Sequence, residues 1–309
     1  MPVQGYRSLG RGIDGAVGET PMVELQRLPP PGSARVLVKL EYLNPSGSIK
    51  DRAALAAIQD AEERGDLRAG GAIVEATSGN MGLALALVGA ARGHKVIIVM
   101  PEELSQQPAR RLALVGAEVV RSQPAGNMAE AGNAARRLAD ENQGYWFVDQ
   151  FNNPSVVRAH RENTGPEILR DAGRTLDAFV AGVGTGGTLT GVGQALKAAS
   201  DSTSIVAVEP ARSPVISGGT PAAHHIVGIG AGFVPPLLDS TLIDRTILVE
   251  DDEAFATAQE LAKIEGLFVG PSSGANVSAA LRIAAELGEG RTVVTVLADS
   301  GERHLGEFR

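Results

Sequence analysis

The chain has 309 residues, 43% of them hydrophobic, enough to bury a large core in two domains or one large α/β domain. With 28 basic and 36 acidic side chains the formal charge is −8, and no basic stripe interleaved with aromatics occurs, which argues against nucleic acid as a partner. There is no cysteine, excluding disulfides and thiolate metal sites. No stretch approaches the roughly 18 apolar residues of a membrane span. Met1 to Gly15 carries no apolar signal core, so a cytoplasmic protein with no membrane partner is expected.

Val36–Leu40 is β-branched and predicts a strand. A loop over Asn44–Ser48 leads into a helix over Ile49–Arg64. Ala72–Glu75 predicts a buried strand, and Ser78–Gly79–Asn80 opens an Ala/Leu-rich helix running to Ala91. Val96–Met100 is apolar throughout, as in a parallel strand covered on both faces. A helix over Pro108–Val115, a strand over Glu118–Arg121, a helix over Met128–Glu141 and a strand over Trp146–Val148 follow. Beyond residue 150, strands are expected at Ala178–Ala181, Ile205–Glu209, Thr246–Val249 and Thr292–Ala298. Helices are expected between Thr188 and Ala199, Asp252 and Glu265, and Ala275 and Leu287. Such alternation implies parallel sheets with crossover helices, in two layers of elements meeting near Asp149–Asn153.

Parallel sheets bind ligands at the carboxyl ends of their strands. Three loops there are rich in Gly, Ser and Thr: Thr77–Asn80, Gly184–Thr188 and Ser272–Gly274. Each precedes a helix and offers free N–H groups at a positive dipole end, a place for phosphate or carboxylate. Any one of them could simply cap its helix; three together favour an anionic ligand. Two rival motifs overlap them. Gly182-x-Gly184-x-x-Gly187, with Glu209 ending the next strand, fits a dinucleotide fingerprint. Gly270-x-Ser272-x-Gly274, with Asp299 and His304 downstream, fits the letters of a hydrolase nucleophile elbow. The five histidines show no metal-ligand spacing, and structural roles are expected for them. His224 and His225 sit beside Gly228–Pro235 and could instead sense a nucleophile. Glu250–Asp251–Asp252–Glu253 reads as an acidic helix start.

Asn44–Pro45–Ser46–Gly47–Ser48–Ile49–Lys50–Asp51–Arg52 resembles the lysine segment of the cysteine synthase and cystathionine β-synthase family, the β-replacing enzymes of pyridoxal-phosphate fold type II. Gly18-x-Thr20–Pro21, Thr77–Ser78–Gly79–Asn80-x-Gly82, Gln150–Phe151-x-Asn153–Pro154, Thr164–Gly165–Pro166–Glu167, Gly184–Thr188, Ser272–Ser273–Gly274 and Gly301–Glu302–Arg303 follow in that family's order. The resemblance implies a tryptophan synthase β-like fold of two three-layer αβα domains with mainly parallel sheets. It implies a smaller mobile substrate-loop domain over 41–149 and a larger phosphate-binding domain from 1–40 and 150–309.

For chemistry, the resemblance implies that Lys50 is the catalytic residue. It would hold pyridoxal 5'-phosphate as an internal aldimine and then remove the substrate's α-proton. Asn80, Gly184, Thr185, Gly186, Gly187, Thr188 and Ser272 would bind the cofactor. Of these, Asn80 would meet the ring hydroxyl and Ser272 the ring nitrogen. Thr77, Ser78, Gly79, Met81, Gln150, Gly230 and Ala231 would line the substrate. Gly228–Pro235 resembles the cysteine synthase form of its loop, which implies O-acetylserine and sulfide giving cysteine and acetate through an aminoacrylate. A homodimer and docking of serine acetyltransferase are further implications. Met81 stands where that family usually has Thr, Val227 where Gln is usual, and Gln107–Pro108 where Glu-Arg is usual after Ser105. These departures leave open a cystathionine β-synthase-like or O-phosphoserine-using enzyme, beside the dehydratase and dinucleotide oxidoreductase alternatives.

Overall fold

The computed structural model describes residues 12–102, 106–122, 127–173 and 176–308. Ser105, named above as a reference point, lies outside them. The chain divides into two units.

The first unit comprises residues 12–19, Asn44–Ser46 and Lys50–Val148, and the second residues 20–43, 47–49 and 149–308. These units group residues 12–19 with the first and residues 41–43 and 47–49 with the second. Asp14 pairs with Arg92, and the Gly18 N–H donates to Asn44 Oδ1 at 2.8 Å, so residues 12–19 belong with the first unit. Glu41 accepts from the Thr20 hydroxyl at 2.6 Å, and Ile49 N–H donates to Ala298 O at 2.8 Å, which draws those segments into the second.

The second unit is built on a six-stranded sheet. Its strands are β1 (Met22–Glu24), β2 (Arg35–Leu40), β7 (Ala178–Gly182), β8 (Ser204–Pro210), β9 (Arg245–Val249) and β10 (Thr292–Leu297), in the order β1-β2-β10-β7-β8-β9. The first unit carries a parallel sheet of β3 (Ala72–Ala76), β4 (Lys95–Met100), β5 (Glu118–Arg121) and β6 (Tyr145–Phe147), in the order β5-β4-β3-β6. All pairs in the larger sheet are parallel except β1 on β2. The expected α/β class with mainly parallel sheets is therefore what forms. The strand β1 is an addition: three residues at an edge are too short for period-2 patterning to stand out.

The helices of the first unit are α1 (Lys50–Arg64), α2 (Asn80–Ala91), α3 (Gln106–Leu114) and α4 (Met128–Glu141). Those of the second are α5 (Pro154–Ala159), α6 (Gly165–Ala172), α7 (Gly187–Ala199), α8 (Asp251–Glu260) and α9 (Pro271–Leu287). A π turn, His160–Thr164, joins α5 to α6. None of these helices, among the described residues, is long and apolar enough to cross a membrane.

Helices α5 and α6 are not among the elements expected from the sequence. In the fold Pro154 and Pro166 each take a first-turn position, where the missing N–H costs nothing. The start of α9 is a further correction. Ser272–Gly274 was expected to be a loop, yet the helix begins at Pro271 and includes it. In the second unit, one apolar cluster gathers Val36, Val38, Val180, Val206 and Val277, and another Phe179, Val192, Ile205 and Val294. These two clusters carry the alternate residues of the same strands, as a sheet covered on both faces requires.

Candidate active site

In the first unit the segment before Lys50 is tied down by Asp51. Its carboxylate accepts the Ser46 N–H at 2.7 Å and also bonds the Ser46 hydroxyl. Asp51 is buried, on the first turn of α1, where a negative charge is favoured. Lys50 is the first residue of that helix and is half-buried.

Helix α1 packs on α2, whose start is the Thr77–Asn80 loop. Thr77 N–H donates to Val99 O at 3.2 Å, and its hydroxyl accepts the Gly79 N–H at 3.2 Å, so the loop turns back on itself. Gly79 caps α2 without a side-chain bond. Thr77 is buried, Ser78 and Asn80 are half-buried, and Gly79 is exposed. Met81 is only 2% exposed. Its side chain therefore packs inside the fold, and the hydroxyl that a threonine would offer there has no counterpart.

In the second unit, Gln150 is buried and follows Asp149, a non-glycine residue at φ 53°. Such a conformation is strained and persists only where neighbours hold it. Here Asp149 O accepts the N–H groups of Asn152 and Asn153, both at 2.9 Å.

Gly184–Thr188 runs from the end of β7 into α7. Gly186 is the helix cap at φ 86°, where a Cβ would lie 2.8 Å from Leu238 N, and it brings no side chain of its own to cap the helix. The Thr185 hydroxyl accepts the Gly187 N–H at 3.3 Å. The Thr188 hydroxyl lies 3.2 Å from His160 Nε2, and the other ring nitrogen of His160 lies 3.0 Å from the Thr164 hydroxyl. A Cβ on Gly184 would come within 2.5 Å of Gly228 O, and one on Gly228 would lie 3.6 Å from Ser272 Oγ. Gly230 N–H donates to Val183 O at 2.9 Å. Gly184–Thr188, Gly228–Gly230 and buried Ser272 thus converge in one place, with Ala231 exposed beside them.

Sequence reasoning missed two supports of this cluster, His160 and Asn276, and read a different role into a third, His224. His160 orients Thr188. Asn276 accepts the Gly182 N–H at 2.7 Å and donates to Val296 O at 2.9 Å, joining α9 to β7 and β10. His224 Nε2 lies 2.9 Å from Gly230 O and so holds the Gly228–Pro235 loop. The α5–α6 helices, once recognised, would have placed His160 against α7.

Both rival readings lose their key residues. The Glu209 carboxylate accepts the N–H groups of Ile216 and Ser217, each at 2.9 Å, and the Ser217 hydroxyl at 2.5 Å. It is spent within its own loop and cannot take a ribose. Asp299 and His304 do pair, at 2.9 Å, but the second ring nitrogen of His304 faces Glu307 at 2.9 Å. No nitrogen is left to activate a serine. Among the described residues no group of three or more His, Asp or Glu could hold a metal.

The fold and this cluster define an α/β protein in which the start of α7 and the Gly228–Gly230 loop lie beside a buried neutral hydroxyl. The family model of pyridoxal-phosphate dependent enzymes matches residues 13–299, and the chain belongs to that family. It is 48% identical over 290 residues to the cysteine synthase of Staphylococcus aureus, covering 94% of this chain and 93% of that one. Among solved structures it resembles an O-ureido-L-serine synthase at TM-score 0.92 and 42% identity, over 96% of this chain and 94% of that one. It also resembles a cysteine synthase of Entamoeba histolytica at TM-score 0.93 and 36% identity, over 99% and 92%.

The donor set fits the family's cofactor. The first unit carries an amine at Lys50, and the second carries the N–H groups that open α7 and a buried neutral hydroxyl at Ser272. No lysine or arginine occurs in Gly184–Thr188, so backbone N–H groups and threonine hydroxyls are the phosphate donors this loop can offer.

Proposed function

We propose that this chain catalyses β-replacement on O-acetyl-L-serine, with sulfide as nucleophile, releasing L-cysteine and acetate. The observation that carries this reading is the convergence of Gly184–Thr188, Gly228–Gly230 and Ser272 in an enzyme of the pyridoxal-phosphate family. The cysteine synthase relative at 48% identity supports the choice of substrates.

Lys50 Nζ would hold the cofactor's aldehyde and, once freed by the substrate amine, take the α-proton in its neutral form. Bound pyridoxal phosphate supplies the electron sink that makes that proton acidic. The Cβ–O bond then breaks, with acetate leaving on its electron pair, and a C–S bond forms at the same carbon. Lys50 returns the proton to Cα.

The N-terminus of α7, with Thr185 and Thr188, would grip the phosphate. His160 fixes the Thr188 hydroxyl for that task. Ser272 would face the ring nitrogen, and a neutral hydroxyl there leaves that nitrogen unprotonated. Asn80 would meet the ring hydroxyl. Thr77, Ser78 and Gln150 would bind the substrate carboxylate, while Met81 contributes backbone only. Gly230 and Ala231 would border the nucleophile's approach, with His224 fixing Gly230 O. A cytoplasmic homodimer that docks serine acetyltransferase belongs to the same reading. Exposed Phe233 and Val234, beside Ala231, would supply apolar surface for that docking.

The test is purified protein loaded with pyridoxal phosphate, given O-acetylserine and sulfide, with cysteine quantified beside Lys50→Ala. Cysteine made by wild type alone supports the reading. A chain that binds the cofactor but makes cysteine only from O-phosphoserine, or only cystathionine from homocysteine, refutes the substrate assignment.

A further inference from the structure

Residues 298–301, just past β10, are clamped on both sides by backbone hydrogen bonds. On one side Ile49 N–H donates to Ala298 O at 2.8 Å and Ser300 N–H to Gly47 O at 3.3 Å, with Ser48 bridged to Asp299. On the other, Gly270 N–H donates to Asp299 O and Gly301 N–H to Phe268 O, both at 3.1 Å. The first flank leads directly to Lys50. The second leads into α9, two residues before Ser272.

The side chain at the centre of this clamp is Asp299, 2% exposed, paired with His304, 5% exposed. Glu307 holds the other face of the ring at 2.9 Å. An imidazole whose two nitrogens both face carboxylates donates to both only as the imidazolium. Burial alone would lower the ring's pKa, but the hydrogen bonds and charges of Asp299 and then Glu307 outweigh it, and the pKa rises above 6.5. Arg303, on the same turn, directs its guanidinium at Gly47, where a Cβ would lie 3.2 Å from Nη2. Gly301 abuts the Phe268 ring, and Phe268 pairs with Phe308 at 6.3 Å.

Gly270 ties this pair to the functional cluster. A Cβ there would collide with the Asp299 carboxylate and lie 2.7 Å from His304 Cδ2. The ion pair therefore rests directly on the backbone that opens α9. A buried ion pair is a poor source of stability compared with apolar packing, but a directional one. It lies where the residues past β10, ending in the short 3-10 turn Gly301–His304, meet the irregular segments 47–49 and 268–270, and that is where direction matters.

We infer that His304 is a positioning residue: held between Asp299 and Glu307, it fixes the 298–301 segment that aligns both the start of α9, with Ser272, and the 47–49 segment that leads to Lys50. The inference rests on the assignment of Ser272 and Lys50 as cofactor residues.

The test compares wild type, His304→Gln and His304→Leu. Each is stripped of cofactor and titrated with pyridoxal phosphate through the visible band, from pH 6 to 9, with thermal midpoints recorded. Leucine keeps no donor and should weaken cofactor binding at least tenfold at neutral pH. Glutamine keeps a donor toward Asp299 and should recover part of that loss. The affinity ratio of wild type to His304→Gln should fall toward unity as pH rises through the imidazolium's pKa. Equal affinities in all three proteins, with only the thermal midpoint changed, would overturn the inference and leave His304 a structural residue. Should His304→Leu fail to fold, the pH series of the other two decides alone: a flat ratio overturns it. Wild type that takes up no cofactor overturns the functional reading itself, a separate result.

Discussion

Gly184→Ala tests whether the approach of two loops shapes the cofactor site. An ideal Cβ there would lie 2.5 Å from Gly228 O, with backbone on both sides and no flexible side chain to yield. An ordinary contact needs about 0.9 Å more, so Gly184–Thr188 or the Gly228 segment must move. Toward Ser272 the Gly228 segment has room for about one methyl group, since a Cβ on Gly228 would already lie 3.6 Å from Ser272 Oγ. Overpacking of this kind costs about 1–3 kcal/mol. The cofactor-free protein can relax apart, so much of that cost falls on the bound state. Each 1.4 kcal/mol is tenfold in affinity, which gives about a ten- to hundredfold weaker hold on pyridoxal phosphate. Titration of stripped protein through the visible band measures it. Gly193→Ala, in α7, is the control, since its Cβ would find Leu242 and Ile205 side chains at 3.5 and 3.6 Å, ordinary contacts. Wild-type cofactor affinity and thermal midpoint in Gly184→Ala would refute the argument that these two loops must meet this closely.

Four further outcomes are expected. Lys50→Ala should lose its visible band on dialysis with cofactor and fall about a thousandfold or more in turnover, since it removes the proton-transfer group; cysteine formation near the wild-type rate would contradict that role. Lys39→Met should destabilise by about 3–5 kcal/mol in urea unfolding, because Lys39 is fully buried between Glu167 at 2.9 Å and Asp171 at 3.3 Å and its loss removes the charge that faces both carboxylates. A cost under about 1 kcal/mol would show that water or a shifted carboxyl compensates. Gly193→Ala should itself add about 0.4–1 kcal/mol of stability by restricting the unfolded chain, read from the same urea curves, and a loss would contradict the space described there. The His304 contribution to stability, with its folded pKa raised, is fully present below about pH 6.5 and is lost as pH climbs through the raised value. Wild type should therefore lose thermal stability relative to His304→Gln on the alkaline side, and a loss confined to acid would reverse the assignment.

What was legible in the chain tracks how local its cause is. The buried strands announced themselves, because Val96–Met100 and Thr292–Leu297 are covered on both faces and need no polar alternation. The Asn44–Arg52 phrase was legible too, and the fold supplies a reason for part of it: Asp51 closes the loop before Lys50 on Ser46. Illegible features have distant causes. His160 meets Thr188 across 28 positions, and Asn276 reaches Gly182 across 94. No period or spacing encodes such pairs.

The glycines show how one signal mixes two meanings. Gly184 and Gly186 read as a ligand loop, and each leaves no room for a Cβ against a neighbouring loop. Gly191 and Gly274 share that vocabulary but lie inside helices, where a Cβ would strike the His160 Cβ at 2.7 Å and the Ala258 N at 2.9 Å. Those two permit helices to cross closely, and they explain why Ser272–Gly274 was mistaken for a loop. A Gly/Ser run at a strand end therefore marks a close backbone approach before it marks a ligand. In the proposed function the two coincide at α7, whose start approaches Leu238 closely at Gly186 and whose first N–H groups would meet the phosphate.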